Sequence, residues 1–377
     1  MKRYDKLPNP AFVLEEEKII RNVNILNDFK QKTKVQLLMA LKGFANWKAF
    51  GLFRDLIDGA SASSYNEAKL AYDYLSNNIH LYSPVYHYDE LEKMVRFSSH
   101  ITFNSLGQLT RFVNDVKKIN ENISVGLRVN PEYSDVETDL YNPASSSSRL
   151  GISAKYFPER LPDYVEGLHF HTLCESNHLA LEKLLEAFEN KFGKFLPLLK
   201  WVNIGGGHLI THKDYDVEYA TKVLNKFAEK YPWLTIYMEP SAAYVWQTGV
   251  LLAEVEDIVE RGGVKTAVLN VSFTAHMPDC LEMPYKPKVL GESENGKYVY
   301  RFGGNSCLAG DFIDGFRFDN PLNVGDMVVF CDMVHYTTVK TTFFNGVKHP
   351  VIGLRTKGGG FELFKVFGYD DYKNKLS

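Results

Sequence analysis

Along the first two-thirds of the chain, short apolar runs alternate with stretches in which apolar residues recur every three or four positions. The apolar runs are VQLLMAL (35–41), LIDGASA (56–62), IHLYS (79–83), HITFN (100–104), ISVGLRVN (123–130), YVEGLHFH (164–171), WVNIG (201–205) and TIYME (235–239). Their length and composition read as buried strands. Between them, SYNEAKLAYDYL (64–75) opens with Ser64 three residues before Glu67, the spacing of a capping box. SLGQLTRFVNDVKKIN and NHLALEKLLEAFENKF carry the spacing of amphipathic helices. Eight such strands alternating with helices over about 250 residues predict an α/β fold, a (β/α)8 TIM-type barrel over residues 11–245. A doubly wound open sheet is the structural rival, but it normally has fewer such units.

After Tyr244 the pattern changes. GVLLAEVEDIV, TAVLNVS, KYVYRF, DMVVFCD and FELFKVF are strand-like, with Gly and Pro between them and no long helix. They predict a C-terminal all-β domain over 246–377, joined by the N-terminal segment 1–10. The run SSSS (145–148) reads as a flexible loop.

Composition removes several functions. With 43 Lys and Arg against 46 Asp and Glu, the formal charge is −3, which gives no electrostatic case for nucleic acid or an anionic membrane surface. No run of eighteen apolar residues suggests a membrane span, and acids interrupt any signal-peptide core near the N-terminus. Cys174, Cys280, Cys307 and Cys331 show neither CxxC pairing nor disulfide-rich density, so a cytoplasmic location is expected.

In such a barrel the chemistry gathers at the C-terminal ends of the strands. The residues there are Lys42, Ser63, Ser83, Asn104, Asn130, His171, Gly205, Gly206, Gly207 and Glu239. An isolated lysine at a strand end usually snorkels to water. A desolvated one of lowered pKa can instead form a Schiff base, in an aldolase or a pyridoxal phosphate (PLP) enzyme. NIGGGH (203–208) favours PLP, because glycines let backbone N–H groups approach a phosphate. Glu239, in YMEPSAA, lies beside the first-strand lysine once a barrel closes, and could keep a pyridine nitrogen protonated. His169 and His171 alternate along a strand and face one side. With Cys174 they hint at zinc, but further ligands at a recognisable spacing are missing, so no metal is expected. His171 is read as a ring stacking on a flat cofactor, and His169 as a core histidine.

Lys42, HFH, the GGG run, Glu239-Pro240, GNSCLAGD (304–311) and VHYTTVKTTFFNG (334–346) occur in an order that resembles the fold-type III, alanine-racemase-like PLP decarboxylases acting on ornithine, arginine and diaminopimelate. HTLCES (171–176) and TAHMPDCLEMPY (274–285) are most similar to the branch acting on carboxynorspermidine and carboxyspermidine in polyamine biosynthesis. The resemblance implies that Lys42 holds PLP, His171 stacks on its ring and Glu239 binds its nitrogen. Gly205, Gly206 and Gly207 would hold the phosphate, with Tyr336 reaching it from the β-domain. It also implies a homodimer with shared active sites, Cys307 and Asp311 entering from the partner subunit and Cys307 acting as the acid that reprotonates the carbanion. Arg149 matches a position that is often basic in the family.

Two departures stand out. The family's usual Gly-Arg after Glu-Pro is Ser241-Ala242-Ala243 here, which leaves the phosphate to amides and hydroxyls. Leu173, Cys174 and Glu175 replace a small Gly-Ser pair, which argues against diaminopimelate or ornithine. A substrate with several ammonium groups calls for carboxylates and aromatic faces. Glu175, Asp279, Glu282 and Asp311 are candidates, with His276 beside them. Diaminopimelate, arginine or ornithine remain alternative substrates, and a catalytically dead regulatory homologue is the rival from another class.

Overall fold

The computed structural model describes residues 2–377, apart from the side chain of Asp139. The chain divides into two compact units. One comprises Asn22–Gly43 and Ala49–Trp246; the other comprises the N-terminal segment through Arg21, Phe44–Lys48 and Gln247–Ser377.

The first unit is a closed parallel barrel. Its eight strands are Gln36–Ala40, Gly59–Ala62, Ile79–Tyr82, His100–Phe103, Ser124–Asn130, Val165–His169, Trp201–Asn203 and Thr235–Met238. Each pairs with the next in sequence, and the eighth pairs with the first through Met238↔Leu37. The helices between them start where their side chains supply caps. Ser64, Ser105 and Asn177 each accept from backbone N–H groups of the first turn, at Tyr65–Tyr74, Leu106–Ile119 and His178–Phe192. The reciprocal arm of the capping box lands one residue early, since Glu67 Oε2 accepts from the N–H of Ser63 (2.7 Å).

A plug fills the N-terminal end of the barrel. The Trp201 indole lies against the backbones of Gly126 and Gly167, where an added Cβ would meet the ring at 2.5 and 2.0 Å. Its Nε1–H donates to Ser124 Oγ (2.8 Å). His80 stacks on His100 at 3.8 Å between centroids, with Tyr237 edge-on to both. This packed end leaves the opposite one for chemistry.

The second unit is a sheet of eight strands. Phe312–Phe318, Tyr298–Gly303, Val264–Leu269, Gly249–Arg261, Ala11–Glu15, Val351–Arg355 and Phe361–Lys365 follow one another in space, and Met327–Cys331 also pairs with Gly249–Arg261. Its core includes Phe12, Leu251, Val255, Phe302, Phe316 and Phe330. Residues 11–21, expected in the barrel, belong to this unit. The buried strand Ala11–Glu15 runs antiparallel to Gly249–Leu252 and parallel to Val351–Arg355. No helix among the described residues is long and apolar enough to cross a membrane.

Candidate active site

At the C-terminal end of the barrel strands a cavity of about 510 Å3 is lined by Lys42, Arg128, His169, His171 and Glu239, among others. Lys42 follows the first strand and His171 the sixth, and Lys42 Nζ lies 3.2 Å from His171 Nε2. The lysine side chain is open to the cavity yet ringed by protein. That desolvation lowers its amine below the ordinary lysine value; Glu239 opposes the shift and Arg128 reinforces it. Desolvation, then the nearby Lys42 and Arg128, also push His171 well below the usual histidine value.

Glu239 follows the eighth strand and is 7% exposed. Its Oε1 accepts from Asn203 Nδ2 (2.7 Å), which leaves Oε2 for the cavity. Arg128 is buried in the fifth strand. Its Nη2 donates to the carbonyl of His171 (2.9 Å), and its guanidinium lies 4.4 Å from the centroid of the Tyr82 ring. Tyr82 donates to Asn104 Oδ1 (2.8 Å), and Asn104 holds both Arg149 O and Gly151 N–H at 2.8 Å. Asn104 thereby latches the segment 139–150, whose Ser145, Ser147, Ser148 and Arg149 form one wall of the cavity. The serine run is thus part of the site.

The glycine cluster is required by close packing. A Cβ on Gly206 would meet Glu239 O at 2.2 Å, and one on Gly207 would meet Leu173 O at 2.1 Å. Gly205 and Gly207 have φ of +73° and +88°, which favours glycine. The three amides do not all face a ligand, however. Gly205 N–H donates to Asn203 Oδ1 (2.9 Å) and Gly206 N–H to His171 Nδ1 (2.7 Å). Gly207 N–H alone of the three has no partner among the described residues. The Ser241 hydroxyl, in the segment that stands where the family has Gly-Arg, donates to Ala40 O (2.6 Å).

His169 is 3% exposed, and neither ring nitrogen has a partner among the described residues. It lines the cavity, so it is not a satisfied core histidine. Glu175 is exposed, in a loop at φ +51°. The Cys174 thiol is pushed up to about 11 by burial and by Glu175.

The other candidates belong to the sheet unit. Cys307 is exposed in the loop 304–311, with its N–H on Asn345 Oδ1 (2.7 Å). Asp311 is buried and braces that loop: Oδ1 accepts from Thr274 N–H (3.0 Å) and Oδ2 from Ser306 Oγ (2.6 Å). Its carboxylate is therefore engaged within this chain. Asp279 Oδ2 accepts from Thr337 Oγ1 (3.0 Å) and Tyr285 OH (3.1 Å), while Glu282 pairs with Lys340. Tyr336 precedes the short helix Thr337–Lys340 at φ +50°. His276 departs from expectation. It is fully buried, with Nδ1 accepting from Ser272 N–H (3.0 Å) and its ring edge-on to His349, so this chain keeps it from a substrate.

Known proteins are similar to this chain in sequence and fold. The family described as pyridoxal-dependent decarboxylase, C-terminal sheet domain, matches residues 23–334. The chain belongs to the pyridoxal-dependent decarboxylase family. It is 50% identical over 376 residues to the carboxyaminopropylagmatine decarboxylase of Synechocystis sp., covering 99% of this chain and 97% of that one. It is 41% identical to the carboxynorspermidine/carboxyspermidine decarboxylase of Campylobacter jejuni, with 98% of each chain covered. The crystal structure of carboxynorspermidine decarboxylase complexed with norspermidine, from Campylobacter jejuni, superposes with a TM-score of 0.90 at 39% identity, covering 98% of this chain and all of that one.

As a member of this family the chain is a PLP-dependent decarboxylase with a fold-type III architecture. The cavity fits that cofactor. It offers an amine of lowered basicity, a carboxylate with one oxygen uncommitted, a free amide at Gly207 and room for a drug-sized ligand. Sequence reasoning missed Arg128. The signal was present, because an arginine inside the apolar strand ISVGLRVN is as costly as the lysine that ends LLMALK.

Proposed function

We propose that this decarboxylase acts on carboxynorspermidine and carboxyspermidine, releasing norspermidine and spermidine in polyamine biosynthesis. The observation that carries the reading is the near end-to-end likeness to the Campylobacter jejuni structure solved with norspermidine. A second reading, carboxyaminopropylagmatine, is supported by the 50% identity to the Synechocystis enzyme. The substrates of both readings join an α-amino acid head to a cationic tail, which ends in an amine in one and a guanidinium in the other.

PLP, when bound, supplies an electron sink for the bond pair left behind as the α-carboxylate departs as CO2. Lys42 would hold the cofactor and His171 would pack on its ring. Glu239, with one oxygen fixed by Asn203, would hold a proton at the ring nitrogen. Gly207 N–H would contact the phosphate, joined by Tyr336. Arg128 and Arg149 give the cavity wall positive charge, which suits the phosphate and the substrate carboxylate better than a polyamine tail. The tail therefore needs acids such as Glu175 or Asp279. Cys307, exposed on a loop braced by Asp311, would return the proton to the carbon that lost CO2, acting from the partner subunit of a cytoplasmic homodimer.

The test is CO2 release from carboxynorspermidine, carboxyspermidine, carboxyaminopropylagmatine, diaminopimelate, ornithine and arginine. The highest kcat/KM is expected for the first two. Preference for the guanidinium substrate selects the second reading, and preference for any of the last three overturns both. Lys42→Ala is expected to lose turnover together with the visible absorbance of bound PLP.

A further inference from the structure

His171 makes two hydrogen bonds whose directions are coupled. Its Nδ1 faces the N–H of Gly206 at 2.7 Å, and a backbone N–H can only donate. Nδ1 is therefore the acceptor, and the one proton of the neutral ring sits on Nε2. That Nε2–H points at Lys42 Nζ, 3.2 Å away. A protonated lysine has no lone pair to receive it, so two donors would face each other across 3.2 Å. A free amine does accept. An imidazolium is ruled out from the other side, because its Nδ1–H would meet the Gly206 N–H.

We infer that His171 is a positioning residue for Lys42: its imidazole, oriented by Gly206 N–H, donates to Lys42 Nζ and stores that side chain as the free amine before the cofactor arrives. The carbonyl of Arg128's partner contact adds a second restraint, since Arg128 Nη2 holds His171 O at 2.9 Å. The charged and titratable groups around the pair act in both directions. Glu239, Glu67 and Cys174 favour the ammonium form, whereas Arg128 and desolvation favour the amine. His169 and His208 face the imidazole and add to its resistance to protonation.

The consequence is chemical. A free amine at Lys42 would be ready to bond the PLP aldehyde carbon without prior loss of a proton, both amine hydrogens departing with the carbonyl oxygen as one water. No proton has first to be moved out of a site that already holds Arg128. The family's stacking role for this histidine concerns the loaded enzyme; the hydrogen bond concerns the protein before loading.

The inference rests on Lys42 being the lysine that holds PLP. Borohydride reduction of the holoenzyme followed by peptide mapping tests that reading separately, because the pyridoxyl group marks whichever lysine carried it. The inference itself is tested on full-length protein freed of PLP. Acetic anhydride acylates only free amines, so labelling of the Lys42 peptide against pH reads its midpoint by mass spectrometry. His171→Phe removes the donor and keeps the ring volume. It is expected to raise the midpoint by about one pH unit or more, which cuts Lys42 labelling about tenfold at a pH well below both midpoints. His171→Gln can present an N–H near the same place and is expected to restore most of the labelling. An unchanged midpoint in His171→Phe overturns the inference, as does a folded His171→Gln that behaves like it. Histidine-15N NMR of the unmutated protein gives a reading that needs no variant. Nδ1 in the unprotonated range and Nε2 in the protonated range are expected for His171, and the opposite tautomer overturns the proposal.

Discussion

Gly206 sits where several parts of the site meet and has no room for a β-carbon. Built there, the atom would lie 2.2 Å from Glu239 O and 3.3 Å from His171 Cε1. The carbonyl belongs to the backbone that carries the candidate carboxylate, so it cannot move aside without moving Glu239. Gly206→Ala is therefore expected to cost about 1–3 kcal/mol in denaturant unfolding, the range for overpacking a close-packed site. It is also expected to lower PLP content, because the Gly206 N–H that orients His171 shifts with the same backbone. A variant with unmutated stability and full PLP content would show that the loop yields freely.

Among the elements, the barrel strands and three helix starts were legible because their signals are local. Ser64, Ser105 and Asn177 stand where an orphan N–H needs a short polar side chain, and the strand runs are apolar over the right length. Ala11–Glu15 was misplaced because a strand buried on both faces looks alike in any sheet. Its partners, around residues 250 and 352, are chosen by contacts far along the chain. The 139–150 wall was hidden for a related reason: serines read as a loop, and only the Asn104 latch turns that loop toward the cavity. Gly126 and Gly167 carried no local signal either, since the Trp201 ring that requires them comes from another strand. Gly167→Ala would place its Cβ 2.0 Å from that ring. A loss of about 3 kcal/mol or more in unfolding free energy is expected, at the upper end for overpacking. Adding Trp201→Leu should recover part of it, and a double variant equal to the sum of the singles would deny the contact.

Across the whole molecule, an unusual share of the histidines is buried in the neutral form, and this fixes how stability responds to acid. Burial pushes His208 and His100 down to about 4, and His276 down to about 3 with help from His349. His80 and His169 are lowered well below the ordinary value, also by burial first. An unfolded chain protonates these rings near pH 6.5, whereas the folded one resists. Their contribution is therefore complete above about pH 6.5 and declines as pH falls toward 4, because the unfolded state binds more protons throughout that window. Each ring in full effect costs about 1.4 kcal/mol per pH unit, so His208, His100 and His276 together remove about 4 kcal/mol between pH 6 and pH 5. Glu67, whose carboxyl is raised by burial, works in the opposite direction at the acidic end. Against a typical total of about 5–15 kcal/mol, that loss removes a large part of the stability margin by pH 5. Urea titrations at pH 7.5, 6.0 and 5.0 should show the midpoint falling, most steeply between pH 6.0 and 5.0. A midpoint that held steady down to pH 5 would mean that these rings are not held neutral by the fold.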